Sequence, residues 1–104
     1  MEEPLKKAVS IIVRVAEPDK IILFGSHANG MAKADSDYDL LVLKKGIKES
    51  RRLAQKIYLN LKNIGAPIDI LVTDLDKYEI LKDDIYMIYN EVDKNGKVIY
   101  EKYR

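Results

Sequence analysis

The period of the apolar positions changes along the chain, and each change marks an element. Leu5, Val9, Ile12, Val13 and Ala16 recur at helical spacing behind Pro4, which suits a first helical turn, and Pro18-Asp19 stops that helix. KIILF, residues 20–24, is short, branched and continuous, so it reads as a buried strand that Gly25 ends. "SHANG" predicts a short helix opened by Ser26, and after a small polar loop DYDLLVL, residues 37–43, reads as a second strand. Lys44-Lys45-Gly46 makes a turn, and a helix is expected from about Ser50 to Ile64, with Leu53, Ile57, Leu61 and Ile64 as its stripe and Gly65 as its cap. PIDILV, residues 67–72, is a third strand, followed by a charged stretch that predicts a short helix and turn. Ile85, Ile88, Tyr89 and Val92 mark a further amphipathic helix closed by Asn95-Gly96, and KVIYE reads as a last strand.

This order predicts one α+β (α/β) domain over residues 1–104, a small mixed β-sheet covered by helices. The connection between the first two strands, Gly25 to Ser36, is long for a hairpin, and long loops in small domains are often functional. No apolar run approaches the roughly 20 residues needed to span a bilayer, and the N-terminus has no signal-peptide pattern, so a cytoplasmic protein is expected.

The charged positions carry the chemistry. Side chains alternate across a strand, so Asp37 and Asp39 share a face, at the mouth of a strand that enters the core. Unit charges ~4 Å apart repel by about 4 kcal/mol at an effective dielectric near 20, and a divalent cation turns that repulsion into shared coordination. Asp69 is the lone charge in PIDILV and joins the same face if the second and third strands are neighbours. Asp35, one pleat earlier in the loop, reads as solvated. With no cysteine and the single His27, a metal here must be held by oxygen, which points to magnesium, manganese or calcium completed by phosphate oxygens. Gly25 permits close backbone approach, and Ser26 at a helix start offers N–H donors and a hydroxyl to phosphate. The glycine spacing is not that of a Walker loop.

Lys and Arg number 18 against 17 Asp and Glu, a net charge of +1 that gives no reason to expect nucleic acid as a partner. KKGIKESRR, residues 44–52, reads as a solvated loop and helix start. Of the seven tyrosines, Tyr58, Tyr78, Tyr86 and Tyr89 read as half-buried helix packing, while Tyr100 and Tyr103 are candidates for a partner surface.

Gly25-Ser26, ten intervening residues and Asp37-x-Asp39 together resemble the signature of the DNA polymerase β-like nucleotidyltransferases, and the length resembles the minimal nucleotidyltransferases of archaea and bacteria. The resemblance covers most of the chain, from the first helix to the last strand. It implies the nucleotidyltransferase fold, with Gly25 and Ser26 holding the nucleotide's β- and γ-phosphates. Asp37 and Asp39 would bind two magnesium ions, or manganese. Asp69 would bind the metal nearer the acceptor and help deprotonate its hydroxyl. The implied reaction transfers AMP from ATP, with release of pyrophosphate. Members of this family are often antitoxins that neutralise a helical HEPN-domain toxin by AMP transfer to its tyrosine or by binding it, so both a catalytic and a masking role follow, in a homo- or hetero-oligomer. One departure stands out: His27 and Asn29 occupy places where relatives commonly carry arginine, and Lys33 in the following loop is the candidate replacement.

Overall fold

The computed structural model describes residues 1–103. Helix α1 (Glu3–Ala16) leads into β1 (Lys20–Phe24), the one-turn helix α2 (Ser26–Asn29) and β2 (Tyr38–Lys44). Helix α3 (Ser50–Asn60), β3 (Ile68–Asp74), α4 (Leu75–Leu81), α5 (Ile88–Asn95) and β4 (Lys97–Glu101) follow. The sheet order among the described residues is β3-β2-β1-β4, with β1 antiparallel to both of its neighbours and β2 parallel to β3. It is the small mixed sheet that the sequence predicts.

Both faces of the sheet are covered. Leu5, Ala8, Ile12 and Ala16 of α1 and Ile57 of α3 pack on Ile21, Leu23, Leu40, Val42, Ile70 and Val72. On the other face Tyr78 of α4 and Tyr89 and Val92 of α5 pack on Ile22, Leu41 and Leu43. Because β2 is interior to the sheet and covered on both sides, Leu40, Leu41, Val42 and Leu43 are all fully buried, which is why this strand reads as an unbroken apolar run. The buried Thr73 hydroxyl finds the Tyr89 hydroxyl at 3.2 Å, so its burial leaves no unpaired polar group. Burial and the nearby Asp93 push the Tyr78 phenol up to about 12.

Polar contacts tie the helix ends to the sheet. The Lys44 ammonium donates to the carbonyls of Ala16 (2.8 Å) and Glu17 (3.1 Å), groups left open at the C-terminus of α1 where a cation is favoured. Asp74 caps α4 by accepting from the Lys77 N–H at 3.1 Å and also accepts from the Gly46 N–H at 2.8 Å, which holds its carboxyl below the usual range. So the basic run at 44–52 begins with a structural lysine rather than a solvated one.

Several boundaries differ from expectation. Helix α3 ends at Asn60, and Leu61 to Pro67 are irregular, with Asn63 (φ 58°) and Gly65 (φ 88°) both left-handed. Leu61 and Ile64 still reach the core, so the apolar spacing is met by a turn rather than by more helix. Strand β3 runs from Ile68 to Asp74, two residues past the expected end, because its parallel ladder to β2 continues through Lys44. Helix α5 begins at Ile88, leaving Ile85 outside it and 69% exposed. Among the tyrosines, Tyr78 and Tyr89 are core, Tyr86 is 90% exposed and outside any helix, and Tyr100 packs against the first core.

Gly96 is required for space. Its φ is an ordinary −76°. A Cβ there would collide with the Val92 carbonyl, lie 2.7 Å from Ile22 Cγ2 and 3.2 Å from the Leu23 carbonyl, because the end of α5 crosses β1 at that point. Gly96→Ala is expected to cost about 1–3 kcal/mol, the usual range for overpacking, as read by chemical unfolding. Stability equal to wild type would mean the crossing is looser than described.

Candidate active site

Three strand ends meet at one edge of the sheet: the end of β1 and the starts of β2 and β3. In the parallel ladder Asp39 lies opposite Asp69, and in the antiparallel ladder Asp39 lies opposite Phe24, the last residue of β1. Alternation puts Asp39 and Asp69 on the face shared with Leu41 and Leu71, the side covered by α4 and α5. Asp37 immediately precedes β2 and is exposed; Asp69 is also exposed, whereas Asp39 is half-buried.

The electrostatics follow from that placement. Burial, then the charges of Asp69 and Asp37, raise the pKa of the Asp39 carboxyl above its ordinary value, and His27 partly offsets the rise. Among the described residues no three His, Asp or Glu side chains converge into a ready-made metal cage. The arrangement is an open one, two opposed carboxylates and a third one pleat away, with coordination left for oxygens from elsewhere.

Gly25 is fitted to Asp39. Its φ is +70°, and a Cβ on it would collide with Asp39 Oδ2 and lie 3.1 Å from Asp39 Cγ. Gly25 also caps α2, so Ser26 and His27 supply the first N–H groups of that helix, which lack intrahelical acceptors. Ser26 is half-buried. The chain folds this way because only glycine combines a left-handed backbone with such close approach to a carboxylate.

His27 is a structural residue of the loop. Its ring stacks on Tyr38 at 3.8 Å between centroids and 12° between planes, and Nε2 pairs with the Ser36 carbonyl at 3.0 Å. Asn29 is exposed and accepts from the Met31 N–H through its side chain. Lys33 is exposed on the loop, where its backbone N–H donates to Ser36 Oγ at 2.8 Å; Asp35 is likewise exposed.

Tyr58, which the sequence reading assigns to helix packing, also belongs here. From the last turn of α3 its hydroxyl donates to Asp69 Oδ1 at 3.1 Å and accepts from the Ile70 N–H at 2.7 Å, reaching across the free edge of β3. The signal that could have found it is its place one residue beyond the buried Ile57, off the apolar stripe.

A cavity of about 530 Å³ lies elsewhere, lined by Lys48, Arg51, Lys77, Thr73 and Tyr89 among others. None of the expected site residues lines it, and its carboxylate, Asp74, already accepts two backbone N–H bonds. The opposed carboxylates at the strand ends, by contrast, accept no backbone N–H bond among the described residues and are only partly offset, by His27 and the Tyr58 hydroxyl.

Residues 6–104 match the model of the family described as "Polymerase beta, Nucleotidyltransferase". The chain belongs to this nucleotidyltransferase family. No match was found among curated protein sequences. Three solved structures share the fold. A toxin–antitoxin with AMP-PNP is 21% identical, with TM-score 0.58 over 94% of this chain and 74% of its own. A protein assigned as a nucleotidyltransferase from Sulfolobus solfataricus is 21% identical, with TM-score 0.59 over 98% and 90%. A mutant of the toxin–antitoxin MntA-HpeT is 20% identical, with TM-score 0.57 over 99% and 76%.

The raised Asp39 pKa has a consequence for stability. The folded chain holds that proton more tightly than the unfolded chain, so stability falls as pH rises from the ordinary carboxylate pKa through the raised one, and stays lower above it. Asp39→Asn is therefore expected to be more stable than wild type at pH 7, with the advantage lost as pH falls through the raised pKa and gone below about 4. Thermal unfolding against pH without divalent cations checks this; an Asn variant less stable at pH 7 would contradict it.

Proposed function

We propose that this protein is a magnesium-dependent nucleotidyltransferase that moves AMP from ATP onto a hydroxyl of a partner protein. The observation that carries the reading is the opposition of Asp39 and Asp69 in register, with Gly25 packed on Asp39 at the start of α2. Opposed carboxylates that repel one another are the groups a divalent cation neutralises, and an open set of this kind suits magnesium completed by phosphate oxygens. Asp37 and Asp39 would hold the metal ions, two of them or manganese in their place, and Asp69 would complete the set on the acceptor side. Magnesium would supply charge neutralisation at the attacking and leaving oxygens. The N–H groups that open α2 and the Ser26 hydroxyl would receive the β- and γ-phosphates, and Lys33 is the cation of this loop free to approach them. Asp69 would take the proton of the acceptor hydroxyl.

Two of the structures that share the fold are toxin–antitoxin proteins, one with AMP-PNP, which supports a toxin as partner and a nucleotide as ligand. The sequence resemblance adds a tyrosine of a helical HEPN-domain toxin as acceptor. A reaction fed by Mg–ATP belongs in the cytoplasm, and among the described residues no helix is long and apolar enough to cross a membrane.

A second reading has its own observation. His27 is committed to Tyr38 and Ser36, and Asn29 to Met31, so neither brings a cation to the phosphates. The fold would then serve to bind and mask the partner, with transfer weak or lost.

Incubation with Mg–ATP and the partner is expected to add an AMP-sized mass to the partner. Asp37→Asn or Asp39→Asn should each lower the rate by about 100-fold or more, the scale for losing an electrostatic stabiliser of the reacting centre. Ser26→Ala removes one neutral donor, worth about 0.5–1.5 kcal/mol, and should cost roughly 2- to 10-fold. Partner inhibition that survives both aspartate substitutions without nucleotide would favour masking and overturn the catalytic reading.

A further inference from the structure

We propose that Tyr58 is itself an acceptor, so that this site modifies its own chain at the Tyr58 hydroxyl. The inference rests on the nucleotidyltransferase reading and names a substrate for it. Tyr58 Oη donates its proton to Asp69 Oδ1 at 3.1 Å, the carboxylate on the acceptor side of the site. The Ile70 N–H, at 2.7 Å, fixes the same oxygen in place. An acceptor hydroxyl has to meet two conditions, a base already accepting its O–H hydrogen bond and an oxygen held against drifting, and Tyr58 satisfies both. Tyr58 is 43% exposed, so a nucleotide can approach it.

No other tyrosine described has this relation to the carboxylates. The Tyr78 hydroxyl pairs with Asp93, the Tyr89 hydroxyl with Thr73, and Tyr38 is buried beneath His27. In the step, Tyr58 Oη attacks the α-phosphorus of ATP and forms an O–P bond. The bond from that phosphorus to the α,β-bridging oxygen breaks, pyrophosphate leaves, and the phenol proton passes to Asp69 and then to solvent. The product is AMP-Tyr58, with no change of oxidation state. An AMP ester there removes the proton that Asp69 receives and sets a nucleotide where an external hydroxyl would dock. Self-modification therefore competes with transfer to any partner and closes the acceptor position once complete.

The test uses the full chain alone with Mg–ATP, followed by intact mass and peptide mapping, with a thermal shift on the same sample to report nucleotide binding. The expected result is one AMP-sized addition mapped to Tyr58, at a rate independent of protein concentration. It should need magnesium, disappear in Tyr58→Phe and Asp39→Asn, and persist in Tyr86→Phe. A magnesium-dependent thermal shift with ATP but no adduct, or an adduct mapped to another residue, overturns the inference and leaves the nucleotidyltransferase reading standing. Neither shift nor adduct, with no transfer to a partner either, overturns both.

Discussion

Asp39 and Asp69 face each other across a parallel ladder whose next rungs are Leu40–Ile70, Leu41–Leu71 and Val42–Val72. The first rung is repulsive and the others are apolar, and the register cannot satisfy one without enforcing the other. Burying an aliphatic side chain of this size contributes about 1.5–3 kcal/mol. A pair of carboxylates at contact distance costs about 4 kcal/mol at an effective dielectric near 20. Leu40, Leu41 and Val42 are fully buried, together worth about 4.5–9 kcal/mol on that scale, so the core outweighs the repulsion and holds the carboxylates where they would not stay alone. A one-residue slip of β3 would relieve the charges but turn Ile70 and Val72 to the wrong face.

The loop between β1 and β2 is arranged around the same pair. Gly25 leaves room for the Asp39 carboxylate that any side chain would take. His27, clamped between Tyr38 and the Ser36 carbonyl, ties the turn of α2 to the entry of β2 and lends Asp39 a partial offset of charge. His27 is thus a brace of the loop, its ring held between Tyr38 and the Ser36 carbonyl rather than free to turn toward the start of α2.

Much of this was legible in the chain. The period-two alternation put Asp37 and Asp39 on one face, and Asp69 stood out as the only charge in an apolar run; neither conclusion needed a tertiary contact. Whether Asp69 met them depended on β2 and β3 being neighbours in register, a long-range fact that local pattern does not encode. Tyr58 is hidden for the same reason, since its reach to Asp69 depends on how α3 lies against the edge of β3. Periodicity alone extends α3 too far, because Leu61 and Ile64 keep helical spacing while the backbone between them turns left-handed at Asn63. Gly96 was recognised as a helix end, but its cause is the crossing of α5 over β1, which only packing reveals.

The central claim is that the strand-end carboxylates, rather than the cationic cavity beside α3, form the nucleotide site. A crystal structure with manganese and a non-hydrolysable ATP analogue tests it most directly, because anomalous scattering locates the metal independently of the nucleotide. The account predicts manganese between Asp39 and Asp37 or Asp69, bridging to phosphate oxygens at the start of α2. Nucleotide bound instead among Lys48, Arg51 and Lys77, with no manganese at the carboxylates, would contradict it.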